Sequence, residues 1–115
     1  MSKGLSYHYS GTIGHIIATA QSLPKNPDKL LSDGWIEITN TSQLANSSSR
    51  EFKEISSGLR IRFDKGQSGK PGFRGLDHYH IRNPNATENS NMYLDKNGKP
   101  TRKGHKNSHI LPKEN

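Results

Sequence analysis

The sequence contains no cysteine, and only 28% of its 115 residues are apolar or aromatic. Without cysteine there can be no disulfide framework, no thiol nucleophile and no zinc–thiolate site. The low apolar content allows only a small core, which argues against a large multidomain enzyme or a deep cofactor cleft. No stretch approaches the roughly 20 apolar residues of a membrane-spanning helix, and residues 1–10 lack the apolar segment of a signal peptide. We therefore expect one small domain over residues 1–115, monomeric when free and without a membrane span.

The excess of positive over negative charge is confined to the second half of the chain. Residues 1–57 contain five Lys and Arg and five Asp and Glu, whereas residues 58–115 contain 12 and 5, which accounts for the whole net charge of +7. A cationic region of this size is typical of proteins that bind a polyphosphate such as RNA. The alternative interpretation is a basic, solvated surface that ends in a polar tail.

The spacing of apolar residues divides the chain into a helical part, residues 1–33, and a sheet part, residues 34–115. In the first part, one helix is predicted to begin after Ser10 and to end before Pro24. A short second helix is predicted to begin at Asn26-Pro27 and to end at Gly34. The residues with helical spacing in the first helix are Ile13, Ile16, Ile17 and Ala20.

In the sheet part, polar and apolar residues alternate with the period of two that predicts β-strands. Strands are predicted at residues 35–39, 50–55, 59–63, 77–82 and 91–94, and from residue 99. The turns Ser56-Ser57-Gly58 and Asp95-Lys96-Asn97-Gly98 predict hairpins, and Ile110 and Leu111 are predicted to attach the C-terminal segment to the sheet. We therefore expect an α+β fold in which N-terminal helices pack on a small four- or five-stranded antiparallel sheet.

Residues 64–75 are too rich in glycine for a regular element, with four glycines and Pro71. They carry Lys65, Lys70 and Arg74. We expect a mobile loop that is long enough to act as a flap over a substrate.

The residues best suited to chemistry lie in the segment Asp77–Arg82. In a strand, His78, His80 and Arg82 project from one exposed face, opposite Tyr79 and Ile81. Histidine transfers protons near neutral pH, and cleavage of RNA by its own 2′-hydroxyl needs a base, an acid and cations that stabilise charge on phosphorus. The two histidines with Arg60, Arg62 or Arg82 nearby would supply that set without a metal. The competing interpretation is that His78 and His80 are ordinary surface residues.

Two metal-dependent interpretations use some of the same residues. The order Asp77-His78, then Asn83 or Asn85, then His105 or His109 is similar to a His-Asn-His nuclease, which would make the chain a metal-dependent DNase. That architecture needs a helix after its hairpin, and residues 96–115 show no helical spacing. A zinc site would need a third ligand close to His78 and His80, and none has a recognised spacing. We expect no metal and no cofactor.

Several other residues are candidates for binding RNA. Asn83-Pro84-Asn85 could display side-chain amides to base edges, and Tyr79 and Tyr93 could stack on bases. The same asparagines are also ordinary turn residues, and Tyr79 falls on the predicted core face. The full set of predicted substrate contacts is Arg60, Lys70, Arg74, Arg82, Asn83, Asn85, Tyr93, Arg102 and Lys103. A non-catalytic RNA-binding module remains a further interpretation of these residues.

From residue 34 onward the sequence resembles the C-terminal toxin domains of bacterial polymorphic toxins, of the contact-dependent inhibition and Rhs type. The resemblance covers about two thirds of the chain. Its motifs are Gly34-Trp35, Arg50-Glu51-Phe52, Ile61-Arg62-Phe63-Asp64-Lys65-Gly66, Gly69-Lys70-Pro71-Gly72-Phe73, Asp77-His78-Tyr79-His80, Asn83-Pro84-Asn85, Tyr93-Leu94-Asp95-Lys96-Asn97-Gly98 and Ser108-His109-Ile110.

The resemblance implies a metal-independent ribonuclease of the α+β group that includes barnase, EndoU, the RNase colicins and RelE. By this resemblance, His78 and His80 would transfer protons, His109 would be a third member, and Arg62 and Lys65 would stabilise charge. The implied substrate is ribosomal or transfer RNA, and the implied partner is a cognate acidic immunity protein. Such domains are secreted or delivered as the C-terminal part of a larger protein and act in the cytoplasm of the target cell.

Overall fold

The structure, a computed structural model, describes residues 13–40, 42 and 48–113. Over these residues one α-helix, α1 (Ile13–Ser22), and a 3-10 helix (Pro27–Ser32) precede a six-stranded sheet, so the fold is α+β as predicted. The strands are β1 (Trp35–Glu37), β2 (Arg50–Glu54), β3 (Arg60–Asp64), β4 (His78–Arg82), β5 (Tyr93–Leu94) and β6 (Pro100–Thr101).

The strands lie in sequence order, and each is antiparallel to its neighbours. The sheet has six strands instead of the four or five predicted, because short strands pair at both edges. The two predicted hairpins are present. Gly58 and Gly98 adopt φ angles of 82° and 80° in their turns, a backbone conformation that favours glycine.

Helix α1 packs on the sheet through Ile16 and Ala20, two residues of the predicted apolar stripe. Ile13 of that stripe is instead exposed, since the buried side of the helix runs through Ile16, Thr19 and Ala20. The predicted cap Ser10 lies outside the described residues. The second helix begins as predicted, with the side chain of Asn26 accepting a hydrogen bond from the backbone N–H of Asp28.

The core lies on one face of the central strands, where alternate residues point toward the helices. Ile61 and Phe63 of β3 are buried, whereas Arg60 and Arg62, which alternate with them, are not, and this confirms the predicted alternation. Tyr79 of β4 is fully buried, so its core interpretation is the correct one. The polar face of β3 and β4 is thereby left to Arg62, Asp64, His78 and His80.

The chain end returns to β4 as predicted. Ile110 forms an antiparallel bridge with Tyr79, and the backbone N–H of each residue donates to the carbonyl of the other at 2.8 Å. Ile110 is buried, while Leu111 is exposed. The bridge fixes His109 beside β4.

The glycine-rich segment between β3 and β4 folds back on itself. The backbone N–H of Gln67 donates to the carbonyl of Arg74 at 2.8 Å, and that of Gly66 donates to Asp77 Oδ1 at 2.7 Å. A Cβ on Gly75 would collide with the carbonyl oxygen of Lys70, so the close approach of these two stretches of backbone requires glycine at position 75. The segment also contains a short 3-10 helix, Gly72–Gly75, which was not predicted.

Within the described ranges no helix combines the length and apolar content needed to cross a bilayer. The α-helix α1 has ten residues.

Tyr79→Phe is expected to lower the free energy of unfolding by about 1–3 kcal/mol. The Tyr79 hydroxyl donates a buried hydrogen bond of 2.7 Å to the carbonyl of Pro24, and phenylalanine would leave that carbonyl without this donor. The substitution keeps the ring, whose centroid lies 5.1 Å from that of Phe63. Urea denaturation of both proteins measures the difference, and an unchanged midpoint would show that this bond contributes nothing.

Candidate active site

A cleft of ≈ 320 Å³ opens on the polar face of β3 and β4. Side chains from both strands line it, together with parts of the glycine-rich segment and of the C-terminal segment. Among the described residues, the charged and histidine side chains that line it are three histidines, four cations and one carboxylate, namely His78, His80, His109, Arg62, Lys65, Arg74, Lys103 and Asp64. The cleft is therefore strongly cationic around a single acidic group.

Asp64, the last residue of β3, is the most heavily bonded residue of the cleft. Its carboxylate accepts hydrogen bonds from Ser49 Oγ at 2.6 Å and from Arg62 at 3.0 and 2.9 Å. The Nε2 atoms of His78 and His80 lie 3.4 and 3.3 Å from its Oδ2 atom. Burial alone would raise the pKa of Asp64, but these donors together hold that pKa far below its usual value. Asp64 is therefore an anion at any pH near neutrality.

Arg62 is held in one orientation by two partners. Its Nε and Nη2 atoms form the two-pronged pair with Asp64, and Nη1 donates to the hydroxyl of Tyr93 at 3.1 Å. The side chain still has 31% of its surface exposed, so one side of the guanidinium faces the cleft. This placement suits a fixed positive charge.

The three histidine rings form a compact triangle. Ring centroids are 5.0 Å apart for His78 and His80, 4.8 Å for His78 and His109, and 4.7 Å for His80 and His109. His78 and His80 come from alternate positions of β4, and the Tyr79–Ile110 bridge supplies His109. Phe73 stacks on His109 with centroids 4.5 Å apart and supports that ring from the loop side.

Backbone carbonyls fix the orientation of two of the rings. Nδ1 of His78 donates to the carbonyl of Leu76 at 2.8 Å, and Nδ1 of His109 donates to that of Lys106 at 3.1 Å. Nε2 is then the nitrogen left for chemistry in His109, and in His78 it is the nitrogen that faces Asp64 at 3.4 Å. Nδ1 of His80 is buried and has no hydrogen-bond partner among the described residues.

The surroundings shift the pKa values of these histidines in opposite directions. Burial tends to lower the pKa of His78, but the contact with Asp64 and the bond to Leu76 outweigh burial and raise it. Burial is the main cause that lowers the pKa values of His80 and His109. His78 therefore keeps its proton to a higher pH than His109 does, the order expected of an acid and a base.

The structure brings together most of the residues predicted to be functional. His78, His80, His109, Arg62 and Lys65, the predicted catalytic set, all line the cleft. Of the predicted substrate contacts, Arg74, Tyr93 and Lys103 line it as well.

Other predicted substrate contacts lie outside this cleft. Arg60 pairs with Glu51 at 3.3 Å and, with Arg82, lines a small neighbouring depression that His80 and Tyr93 also border. Lys70, Asn85 and Arg102 are exposed and are not part of the cleft lining.

The predicted contact of Asn83 with RNA bases is wrong, because its side chain holds a turn. Asn83 is buried, its Oδ1 accepts from the backbone N–H of Asn85 at 2.9 Å, and its Nδ2 donates to the carbonyl of Asn91 at 2.8 Å. Both polar atoms of the amide are thus used inside the protein, so the turn interpretation is the correct one.

The prediction that His78 and His80 are exposed is also wrong. Only 6% and 4% of their surfaces are accessible. Alternation places both on the polar face, as predicted, but His109 and the residues before β4 cover that face. The two imidazoles therefore form the floor of the cleft.

Sequence reasoning missed three residues of the site: Asp64, Ser49 and Phe73. A signal for Asp64 was present, since period two places it on the same face of β3 as Arg62. The observed register of β3 and β4 pairs it with His78. Ser49 and Phe73 lie in loops where no periodicity applies.

Comparison of the chain with protein-family models, curated proteins and solved structures finds no match. A functional assignment therefore depends on the chemistry of the cleft.

Proposed function

We propose that this protein is a metal-independent endoribonuclease that cleaves RNA by attack of the 2′-hydroxyl on the adjacent phosphorus. The observation that supports this most is the triangle of imidazoles, with pKa values shifted apart, in a cleft that also holds a fixed guanidinium. The proposal needs only an acid, a base and cations, and the cleft supplies all three.

In the proposed reaction His109 is the base and His78 is the acid. The 2′-hydroxyl proton passes to Nε2 of His109 as the 2′-oxygen bonds to phosphorus. The bond from phosphorus to the 5′-oxygen breaks, and Nε2 of His78 donates a proton to that oxygen. The products are a 2′,3′-cyclic phosphate and a 5′-hydroxyl, so atoms and charge balance without a water or a metal.

The remaining cleft residues hold the reacting groups in place. Arg62 faces the cleft and would stabilise the charge that develops on phosphorus. Lys65, Arg74 and Lys103 would contact neighbouring phosphates. His80 is the most buried of the three histidines, and we assign it a positioning role through its contact with Asp64.

We further propose that the enzyme is a toxin whose substrate is ribosomal or transfer RNA. The support for this is the sequence resemblance to polymorphic-toxin domains together with the cationic cleft. In this proposal the domain is delivered as the C-terminal part of a larger protein and acts in the target-cell cytoplasm. A cognate acidic immunity protein would cover the cleft, because opposite charge speeds association and blocks RNA.

The test is incubation of the protein with RNA in excess EDTA. RNA is expected to be cut to fragments that end in 2′,3′-cyclic phosphate, identified by mass spectrometry. A matched oligonucleotide with a 2′-deoxy nucleotide at the cleavage position is expected to stay intact, since it lacks the attacking hydroxyl. Cleavage of that oligonucleotide, or intact RNA in the absence of metal, would refute the proposal.

The same assay separates the two rival functions. A metal-dependent DNase would cut DNA only after a divalent cation is restored, and among described residues 96–113 the only helical element is the 3-10 helix Lys106–Ser108. A non-catalytic RNA-binding module would leave RNA intact while its affinity falls steeply with salt, equally in wild type and in His78→Asn.

The rate of RNA cleavage is expected to follow a bell-shaped pH profile. His109 must lose its proton, and its lowered pKa places the rising limb below the ordinary value of 6.5. His78 must keep its proton, and its raised pKa places the falling limb above 6.5. Initial rates on a short oligoribonucleotide at constant ionic strength measure the profile. A rate that only rises, or only falls, across the whole pH range from below to above 6.5 would contradict these roles.

A further inference from the structure

The histidine triangle also meets the requirements of a metal site. One ring nitrogen from each of His78, His80 and His109 lies within 4.8 Å of the other two. Ligands on a tetrahedral zinc ion at the usual Zn–N distance of about 2.0–2.1 Å lie roughly 3.4 Å apart. The ligand nitrogens, at most 4.8 Å apart, would therefore have to approach one another by up to about 1.4 Å on binding the ion.

In His80 and His109 one ring nitrogen faces an oxygen acceptor and the other is left for a ligand. In His78, Nδ1 donates to Leu76, and Nε2, 3.4 Å from Asp64, would exchange that contact for the metal. The carbonyls of Leu76 and Lys106 take Nδ1–H of His78 and of His109, and Asp64 lies 3.3 Å from Nε2 of His80. Histidines that bind metals characteristically donate their second N–H to a carbonyl or carboxylate in this way. Nδ1 of His80, buried and without a hydrogen-bond partner in the described part of the chain, is the nitrogen that this pattern leaves as ligand.

We propose that His78, His80 and His109 together bind a divalent transition-metal ion of the zinc type and that the bound ion reversibly inhibits the enzyme. The binding half of this proposal stands on the side-chain geometry, and the inhibition half rests on the proposed ribonuclease activity. Imidazole nitrogens favour Zn²⁺, Co²⁺, Ni²⁺ and Cu²⁺ over Mg²⁺ and Ca²⁺, so magnesium does not compete for the site.

Inhibition follows because the ion binds the same ring nitrogens that transfer protons in the proposed reaction. A metal on Nε2 of His109 removes the lone pair that accepts the 2′-hydroxyl proton. A metal on Nε2 of His78 takes the place of the proton that the leaving oxygen needs. The same three rings therefore serve either proton transfer or metal binding, but not both at once.

The charges around the site favour reversible binding over a permanent ion. Asp64 supplies one negative charge beside two of the rings, which lowers the cost of bringing in a dication. Arg62, Lys65, Arg74 and Lys103 line the same cleft and oppose it. Because the cations around the site outnumber the single carboxylate, the site is expected to release its metal to a chelator, so that EDTA restores the active form.

The binding half is tested with chelator-treated protein and no RNA. Co²⁺ is expected to give saturable visible absorption with one ion per chain, which Zn²⁺ displaces and Mg²⁺ does not. His109→Asn keeps a donor for the Lys106 carbonyl but loses Nε2, and it is expected to weaken Zn²⁺ binding by at least about 100-fold in calorimetry. The matched control is His105→Asn, which changes an exposed histidine outside the cleft lining and is expected to bind Zn²⁺ like wild type.

A wild-type measurement keeps the test independent of any variant's folding. In histidine side-chain NMR spectra, Zn²⁺ is expected to shift the ring nitrogens of His78, His80 and His109 and to leave those of His105 unchanged. No saturable Co²⁺ binding, binding of equal strength in His109→Asn, or shifts confined to other histidines would overturn the proposed site.

The inhibition half is tested by adding Zn²⁺ to a cleavage reaction that already runs without metal. Zn²⁺ is expected to suppress the rate in step with occupancy of the site, and EDTA is expected to restore it. Cleavage that continues at full Zn²⁺ occupancy, or that Zn²⁺ accelerates, would overturn inhibition. If the metal binds as expected but no RNA is cut in EDTA, the site stands while the ribonuclease proposal, and inhibition with it, fails.

Discussion

Asp64→Asn is expected to lower the free energy of unfolding by about 3–5 kcal/mol and to abolish detectable RNA cleavage. Asparagine keeps the size of the side chain and one acceptor oxygen, so the substitution isolates the negative charge. Without that charge, Arg62 has no counterion at 2.9–3.0 Å, and His78 and His80 lose the anion beside their Nε2 atoms. Because only 20% of the Asp64 side chain is exposed, water cannot replace it fully.

Urea denaturation measures the loss of stability, and NMR titration of the His78 ring measures the effect of removing the anion beside its Nε2 atom. The pKa of His78 is expected to fall in the variant, because contact with Asp64 is the main cause that raises it in the wild type. Asp33→Asn is the control, since Asp33 is exposed and lies away from the cleft lining. A variant that is destabilised but titrates like wild type would leave Asp64 a role in stability alone.

Much of the sheet and half of the site could be predicted from local pattern. Period-two alternation between Arg60 and Phe63 and across the segment around Tyr79 predicts two strands, and tight turns predict the hairpins. The same alternation puts Arg62, His78 and His80 on one face, which the structure confirms. These predictions succeed because side-chain direction in a strand depends only on the backbone.

The remainder of the site depends on contacts between residues that are distant in sequence. The Tyr79–Ile110 bridge brings His109 to the other histidines, and no spacing rule relates it to β4. For the same reason the sequence offered no third ligand for a metal. The burial of His78 and His80 was missed because it is produced by loop segments laid over a face that alternation alone predicts to be exposed.

His78→Asn and His109→Asn are each expected to slow RNA cleavage by about 10²–10⁴-fold while the protein remains folded. In both variants the asparagine amide can replace the Nδ1–H donor to Leu76 or Lys106, so only Nε2 is lost. His105→Asn is expected to cleave at the wild-type rate. Circular dichroism and thermal melting confirm folding, and a folded variant with the wild-type rate would remove that histidine from the mechanism.

A substrate with an activated leaving group distinguishes the acid from the base. A nucleoside 3′-(p-nitrophenyl phosphate) expels nitrophenolate, which needs no proton, whereas its 2′-hydroxyl must still be deprotonated. His78→Asn is therefore expected to recover most of the wild-type rate on this substrate, and His109→Asn is expected to stay slow. The opposite result would exchange the two roles, and equal losses in both variants would show that His78 acts on the phosphate by its charge and not by donating a proton. Because the assay compares two substrates on one protein, any loss of stability in a variant cancels, and only the proton transfer to the leaving oxygen is left to explain a difference.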